Sequence, residues 1–183
     1  MGIVCTFAGV SGHKGARAMF QLSEESKTDE YEVETLFDLT FAPGREALSS
    51  YRLREGVLKI SALSLVARDE FGSLAGAIRF WPVVIGQAAD NALLLGPIAV
   101  HPTHQGEGLG GLLMAESLDK ARGLGWQRAV LVGDEPYYRR FGFQIRPDIR
   151  FPPPTNPMRV LAHALTQRGL NGVRGLVRRD ESG

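Results

Sequence analysis

Apolar and polar positions follow strand and helix periods in the middle of the chain. Residues 93–100 and 128–132 are apolar runs of strand length, and residues 112–124 between them show helical spacing. A glycine-rich segment, residues 105–111, joins the first run to the helix. The pattern therefore predicts a β-α-β unit in which a glycine loop lies at the N-terminus of the helix.

The segments before this unit alternate between strand and helix patterns. Strands are predicted at residues 20–22, 63–67 and 74–84, the last two forming an antiparallel hairpin around a turn at 69–72. Helices are predicted at residues 29–41, ended by Pro43-Gly44, and at residues 45–53, closed by Gly56. A loop at residues 86–91 leads into the unit.

The segment after the unit is less regular. An aromatic turn ends in Phe141-Gly142-Phe143, and Pro147 and the prolines at 152–154 predict an irregular connection, because proline cannot donate to a β-ladder. Residues 158–165 are one more strand candidate. The whole order predicts an α/β fold of the mixed α+β kind: a twisted, mostly antiparallel sheet with one parallel strand pair and helices on both faces.

The length of 183 residues suits a single domain with its own hydrophobic core. Residues 1–18 are rich in glycine and lack periodicity, so we expect a loose N-terminal extension there. The domain itself is predicted to span residues 19–168. Residues 169–183 are basic and contain glycine, which predicts a partly mobile C-terminal tail.

Composition narrows the classes of function. The formal net charge of +1 gives no electrostatic reason to expect a nucleic-acid or membrane-surface partner. No apolar stretch approaches the roughly 20 residues of a membrane span. The single cysteine, Cys5, excludes an internal disulfide and a cysteine zinc site. These features predict a cytoplasmic protein, and both a monomer and a homodimer are compatible with them.

The glycine loop indicates an anion site. The first N–H groups of a helix have no helical partner, and the helix dipole adds partial positive charge at that end. Glycine allows the backbone to approach a ligand closely and to adopt a positive φ without strain. The sequence therefore predicts that a ligand carrying phosphate groups binds at residues 105–111.

Two familiar phosphate-binding patterns fit the loop poorly. Gly106, Gly108 and Gly111 match the dinucleotide fingerprint G-x-G-x-x-G, but five residues separate them from the strand and no second crossover follows. A P-loop would require Lys-Ser or Lys-Thr where the chain has Leu112-Leu113. We reject the P-loop and keep a dinucleotide-binding domain as a remaining alternative.

Three motifs in order match a known family. The loop Gln105-Gly106-Glu107-Gly108-Leu109-Gly110 fits [R/Q]-x-x-G-x-[G/A]. It follows the strand and turn Ile98-Ala99-Val100-His101-Pro102, and Tyr138-Arg139-Arg140-Phe141-Gly142-Phe143 fits Y-x-x-x-G-F. The chain therefore resembles the GNAT superfamily of acyl-CoA-dependent N-acyltransferases. The resemblance spans roughly residues 20–165 in element order, with its specific residues within 93–143.

The resemblance implies where acetyl-CoA would bind. Backbone N–H groups of the loop would cradle the pyrophosphate of coenzyme A: Gln105, Gly106, Glu107, Gly108, Leu109, Gly110 and Gly111. The strand residues Ile98, Ala99 and Val100 would bind the pantetheine arm, which enters where the fourth and fifth strands separate. Gly96-Pro97 would form the associated bulge, and the N–H of Val100 would polarise the thioester carbonyl. No metal ion is expected.

The resemblance also implies that Tyr138 stands near the sulfur and steadies the departing thiolate. Two family features are missing, however. Gly133-Asp134-Glu135-Pro136 stands where many members have an asparagine, and residues 92–100 lack the usual catalytic glutamate. The general base stays unassigned among Glu46, Glu55, Asp134 and Glu135. His101, His104 and Glu107 are interpreted as loop residues beside a phosphate rather than metal ligands.

These features together predict an acetyl-CoA-dependent N-acetyltransferase. A small-molecule or peptide amine would attack the thioester directly, without a covalent enzyme intermediate. The acceptor is expected between residues 41–56 and the loops near 84–92 and 144–157. Because the usual base is missing, a non-catalytic acyl-CoA-binding sensor or interaction module is the alternative.

Overall fold

A computed structural model describes residues 19–41 and 44–180 of the chain. The predicted N-terminal extension, residues 1–18 with Cys5, lies outside the described residues, as does Pro43 at the predicted end of the first helix.

The first four strands form the antiparallel part of the sheet. They are β1 (Gln21–Glu24), β2 (Leu65–Arg68), β3 (Leu74–Ile85) and β4 (Asp90–Val100). Each pairs antiparallel with the next. The hairpin predicted from the sequence is β2 and β3, and the β3–β4 turn is shorter than expected because β4 begins at Asp90 inside the predicted loop.

Five further strands complete the sheet in the described part of the chain. They are β5 (Arg128–Val132), β6 (Gln144–Ile145), β7 (Ile149–Arg150), β8 (Val160–Ala164) and β9 (Gly175–Arg179). The strand order is β1-β2-β3-β4-β5-β8-β6, and β9 pairs with both β3 and β7. The predicted mixed sheet with its parallel β4–β5 pair is confirmed, and a two-residue parallel ladder between β7 and β9 lies at its margin.

Two long helices cover opposite faces of the sheet. Helix α1 (Glu30–Thr40) packs Val33, Leu36 and Phe37 against Val66, Ala77 and Ala99. Helix α3 (Leu109–Gly123) packs against the opposite face, which includes Leu65, Ala67 and Ala75. Neighbouring residues of a strand point to opposite faces, so the alternation of Leu65, Val66 and Ala67 between the two clusters places the helices on both faces, as predicted.

The shorter helices flank this layered core. They are α2 (Ser49–Arg52) and α4 (Glu135–Tyr138), each continued by or preceded by a 3₁₀ turn. Helix α3 begins at Leu109, three residues before the predicted start at Leu112, so the last two glycines of the loop belong to the helix.

A bulge divides β4 into two halves. The register shifts so that Ile78 of β3 faces Ile98, whereas Phe80 faces Leu95. One residue of β3 is therefore opposite two residues of β4, Gly96 and Pro97, which is the bulge expected from the sequence. The parallel ladder to β5 covers only Leu93 and Leu94, before the bulge.

The expectation of a mobile C-terminal tail is wrong for residues 175–179, which form β9. Val177 faces Ile85 and is fully buried in the same apolar cluster. β2 pairs with β3 only as far as Ile78, which leaves one edge of the second half of β3 unpaired. β9 pairs with that edge at residues 83–85 and so provides hydrogen-bond partners for its backbone groups. The glycines and arginines around this short strand give the segment a polar composition, so the sequence pattern does not indicate that Val177 is buried.

We predict that Val177→Ala lowers the free energy of unfolding by about 1.5–3 kcal/mol, because it removes two buried methyl groups and leaves a cavity. The matched control is Leu176→Ala, since Leu176 is 40% exposed whereas Val177 is 0% exposed. The control should change the stability by less than about 0.5 kcal/mol. Urea unfolding measures both, and equal small effects would mean that residues 175–179 do not dock in solution.

Candidate active site

A cleft opens where β4 leaves β5. Its volume is about 480 Å³, and it extends from the second half of β4 to the N-terminus of α3 and to α4. Its lining residues are Thr40, Phe41, Ile98, Ala99, Val100, His104, Gln105, Gly106, Gly108, Leu109, Gly110, Gly111, Tyr137, Tyr138 and Arg140. Nine of the ten binding residues predicted from the sequence line it together with Tyr138.

The exception among the predicted binding residues is Glu107. Its carboxylate lies 3.2 Å from Nδ1 of His104, whose Nε2 is 3.6 Å from Asp69. These contacts hold the side chain of Glu107 beside the loop rather than in the cleft.

The glycine loop has an open backbone. Gly106 and Gly108 have φ values of +85° and +83°, which side chains other than glycine rarely adopt, and a β-carbon at either position would meet nothing within 4 Å. Gly108 is the N-cap of α3 and is not capped by a side chain. The N–H groups of Leu109, Gly110 and Gly111 therefore face the cleft end of the helix, beside the open space that the glycines leave.

The second half of β4 also has free backbone groups. The N–H of His101 donates to the carbonyl of Ala75, which marks these opposite residues as a hydrogen-bonded pair. Hydrogen-bonded and non-bonded pairs alternate in an antiparallel ladder, so Val100 and, two residues earlier, Ile98 direct their polar groups away from β3. These polar groups point to the side of β4 that faced β5 before the two strands separated after Leu94.

Tyr138 stands at the edge of the cleft against aromatic rings. Its ring lies edge-on to Tyr137 and Phe143, with centroid distances of 4.9 and 6.1 Å. Burial raises the pKa of Tyr138 from 10.0 to about 12, and the nearby Tyr137 and Asp134 add to the rise. The phenol of Tyr138 is therefore a weak acid that keeps its proton at neutral pH and can donate a hydrogen bond.

The glycine of the Y-x-x-x-G-F motif fixes the turn after Tyr138. Gly142 has φ +87°, and a β-carbon there would lie 2.5 Å from the ring of His163. Its carbonyl oxygen is 3.0 Å from Nδ1 of His163. Glycine is thus required both by the backbone conformation and by the close approach of β8.

Two cleft residues were missed or misread in the sequence. The hydroxyl of Tyr137, which the sequence patterns did not single out, would be 2.9 Å from a β-carbon at Gly110 and so lies over the start of α3. The guanidinium of Arg140, to which the sequence patterns gave no binding role, stacks 4.2 Å from the centroid of the Tyr137 ring. Their places within the Y-x-x-x-G-F motif were the available signal. Arg140 adds a cation next to the free helix N–H groups.

A second cavity, of about 390 Å³, lies at the β4 bulge; we call it the charged pocket. It is lined by Glu30, Glu34, Arg45, Glu46, Tyr51, Arg54, Val57, Lys59, Arg79, Trp81 and Pro97. Pro97 lines the charged pocket, and the next three residues of β4 line the cleft. The two cavities therefore border adjacent residues of β4.

An ion-pair network forms one wall of the charged pocket. Glu34 accepts hydrogen bonds from Arg45, at 2.8 Å, and from Arg79. Arg79 also forms a two-pronged pair with the fully buried Glu25, at 2.7 and 2.8 Å. Although burial raises the pKa of Glu34, the hydrogen bonds from the two arginines lower it overall, so this carboxylate is a weak base.

The four carboxylates considered as general base occupy different places. Glu46 lines the charged pocket and is exposed. Asp134 pairs with Arg159 at 3.2 Å, and Glu135 pairs with Arg139 at 3.6 Å. Glu55 lines neither cavity.

The segment predicted to border the acceptor, residues 41–56, contacts the loop at residues 152–155. The hydroxyl of Ser49 forms a hydrogen bond with that of Thr155, and Arg52 donates to the carbonyl of Pro153. None of these four residues lines the charged pocket.

The described residues contain neither a candidate membrane span nor a candidate metal cluster. None of the helices there combines the length and the apolar character needed to cross a bilayer. Nor does this part of the chain contain three or more His, Cys, Asp or Glu side chains grouped so as to hold a metal ion.

Comparisons of sequence agree with this geometry. A family model described as "Acetyltransferase (GNAT) domain" matches residues 61–145. The chain is 34% identical over 148 residues to "Uncharacterized N-acetyltransferase YhbS" of Escherichia coli strain K12, covering 79% of this chain and 87% of the relative. It is 35% identical over 128 residues to "Uncharacterized N-acetyltransferase YjhQ" of the same strain, covering 68% of each.

Comparisons of structure give the same family. A crystal structure of Escherichia coli YhbS in complex with CoA matches with a TM-score of 0.76 and 31% identity, covering 94% of both chains. A GNAT family acetyltransferase from Brucella melitensis in complex with acetyl-CoA matches with a TM-score of 0.67 and 30% identity, covering 88% of this chain and 96% of the other.

The raised pKa of Tyr138 predicts a pH dependence of stability. Folding favours the protonated phenol, so the contribution is complete below pH 10 and is lost as the pH rises towards 12. Between pH 9 and pH 11 we expect the wild type to lose about 1 kcal/mol more unfolding free energy than Tyr138→Phe. Urea titrations at both pH values measure this, and parallel losses in the two proteins would contradict the buried position of the phenol.

Proposed function

The chain belongs to the GNAT family of N-acetyltransferases, and from that premise we propose that it transfers an acetyl group from acetyl-CoA to a primary amine by direct attack. The observation that carries the proposal is the junction of two features. Free helix N–H groups at Leu109–Gly111 suit phosphates, and free β4 backbone groups at Ile98 and Val100 suit an amide-containing arm.

The pyrophosphate of coenzyme A binds at the glycine loop in this proposal. Its negative charge is stabilised by the N-terminal end of α3 and by Arg140, whose planar guanidinium forms paired hydrogen bonds with phosphate oxygens. The open space above Gly106 and Gly108 admits the phosphates to hydrogen-bond distance of the backbone. The relatives from Escherichia coli and Brucella melitensis bind CoA and acetyl-CoA, which supports this ligand.

The pantetheine arm occupies the gap between β4 and β5. The outward N–H groups of Ile98 and Val100 are two donors, one for a pantetheine carbonyl and one for the thioester carbonyl. A donor aimed at the thioester oxygen stabilises the negative charge that develops there during attack. The thioester then lies beside the bulge, whose Pro97 lines the charged pocket.

The reaction follows from this placement. The nitrogen of the unprotonated amine forms a bond to the acetyl carbon, the C–S bond breaks, and the nitrogen loses one proton while the sulfur gains one. Tyr138 donates a hydrogen bond to the departing sulfur. With its pKa near 12 and a thiol near 8.5, full proton transfer from Tyr138 is uphill by about 5 kcal/mol, so the tyrosine stabilises the thiolate and keeps its proton.

Thermal shift tests the coenzyme site. Acetyl-CoA at about 100 times its Kd should stabilise the folded protein by about 2.7 kcal/mol, which raises Tm by roughly 5–10 °C for a domain of this size. NAD and ATP should give no comparable shift. Gly108→Glu should lose the acetyl-CoA shift, because its carboxylate repels the phosphates.

The matched control for this variant is Gly125→Glu. Gly125 also has a positive φ, +86°, and open space around its β-carbon, but it lies beyond the opposite end of α3. Both variants carry the same charge change and similar backbone strain, so only the position differs. A shift with NAD alone, or a shift that survives Gly108→Glu, would contradict the proposed coenzyme site.

Tyr138→Phe tests the leaving-group role. We expect kcat to fall about 10–100-fold, since one hydrogen bond to a developing charge is lost, while the KM for acetyl-CoA stays within about threefold. Thiol release with an amine panel measures both constants. The control is Tyr31→Phe, because Tyr31 is exposed and lines neither cavity.

An unchanged kcat for Tyr138→Phe would rule out the leaving-group role. Coenzyme binding with no thiol release for any amine would instead support the alternative of a non-catalytic acyl-CoA sensor.

A further inference from the structure

Arg54 is a half-buried cation in which two donor atoms are buried and unused. Its Nε and Nη1 atoms are inaccessible to solvent and have no hydrogen-bond partner in the described part of the chain. Buried side-chain donors are nearly always satisfied, and guanidinium groups strongly so. Two unpaired donors beside a cavity are therefore available to a partner from outside the chain.

The other cations of the charged pocket are already matched by carboxylates. Arg45 pairs with Glu34 and Asp38 at 2.8 and 2.7 Å, Arg79 pairs with Glu25 and Glu34, and Lys59 lies 3.3 Å from Glu25. Three cations thus share three carboxylates. Arg54 is the fourth cation, and no ion pair joins it to a carboxylate among the described residues. It is a buried charge without a counter-ion, which is unfavourable unless a ligand supplies one.

Two aromatic rings fix the orientation of Arg54. Its guanidinium lies 4.1 Å from the ring centroid of Tyr51 and 4.7 Å from that of Trp81. Tyr51 is itself anchored, because its hydroxyl accepts a hydrogen bond from Arg45 at 2.8 Å. Burial lowers the pKa of Arg54 to about 10, so the group is still charged at neutral pH. The site holds a positive charge in a fixed plane.

The guanidinium points to the place where the acetyl group would be transferred. Its Nη2 lies 3.8 Å from the position that a β-carbon would take at Gly96, in the β4 bulge. Pro97, the next residue, lines the same pocket. A molecule bound to Arg54 therefore reaches the bulge within a few atoms.

We propose that the acceptor is a small amine that also carries a carboxylate, and that Arg54 binds this carboxylate; the proposal rests on the acetyltransferase function proposed above. Aromatic rings on the guanidinium favour approach in its plane, which suits a planar carboxylate. The exposed Glu30 and Glu46 at the same pocket attract the ammonium end of such a zwitterion. Arg54 is thus a specificity-determining residue for the acceptor.

The test compares matched acceptors on the full-length enzyme. Common amino acids, β-alanine and γ-aminobutyrate are assayed next to their carboxamides and next to aminoalkylphosphonates of equal length, by thiol release and by the mass of the product. We expect at least one acid to be acetylated with a kcat/KM at least tenfold above that of its carboxamide and its phosphonate.

Variants of Arg54 then assign the preference to this residue. Arg54→Met should raise the KM for the acid about 10–100-fold and remove the preference over the carboxamide, whereas Arg54→Lys should restore part of it. Both variants should keep the thermal shift with acetyl-CoA. The control is Arg168→Met, which removes an exposed arginine that lines neither cavity.

The outcomes separate this proposal from the function on which it rests. Loss of acetyl-CoA binding in the wild type would overturn the function itself. Acetylation of amides or phosphonates as readily as of acids, or an unchanged preference in Arg54→Met, would overturn only the carboxylate proposal. If Arg54→Met fails to fold, the wild-type comparison of acid and carboxamide decides the proposal without it.

Discussion

The separation of β4 from β5 after two paired residues is the constraint on which the site depends. The parallel ladder between β4 and β5 ends at Leu94, so the backbone N–H and C=O groups that later β4 residues direct towards β5 are left without a strand partner. The bulge at Gly96-Pro97 bends the strand at that point, and the cleft opens beside the residues that follow it. The glycine loop joins the C-terminal end of β4 to the start of α3. The free N–H groups of α3 therefore lie at one end of the cleft that β4 lines.

A second constraint is the distribution of charge under α1. Glu25, Glu34, Arg45 and Arg79 form a connected network of ion pairs, which links α1 and the segment after it to β3. Arg54 stands outside this balance. A fold optimised for stability alone would place an apolar side chain between Tyr51 and Trp81, so the unpaired charge is better explained by binding than by structure.

Local sequence patterns determined most of the fold and most of the residues that line the cleft. The β2–β3 hairpin, the β4-loop-α3-β5 unit and helix α1 follow from apolar periodicity and glycine placement, which act over a few residues. The three ordered motifs were sufficient to identify the family resemblance and to place Tyr138 near the cleft. Backbone-binding loops are readable in this way because glycine is required by local conformation, whatever the rest of the fold does.

Only the tertiary structure decided the features that depend on distant segments. Strand β9 exists because β2 leaves half of β3 unpaired, and its own residues look like a basic tail. Tyr137 and Arg140 line the cleft because α4 and the 3₁₀ turn after it fold back over the start of α3. Arg54 is distinctive only because every other cation of its pocket finds a carboxylate from another segment. The charge balance of the pocket depends on residues from distant segments, so a local stretch of sequence cannot show it.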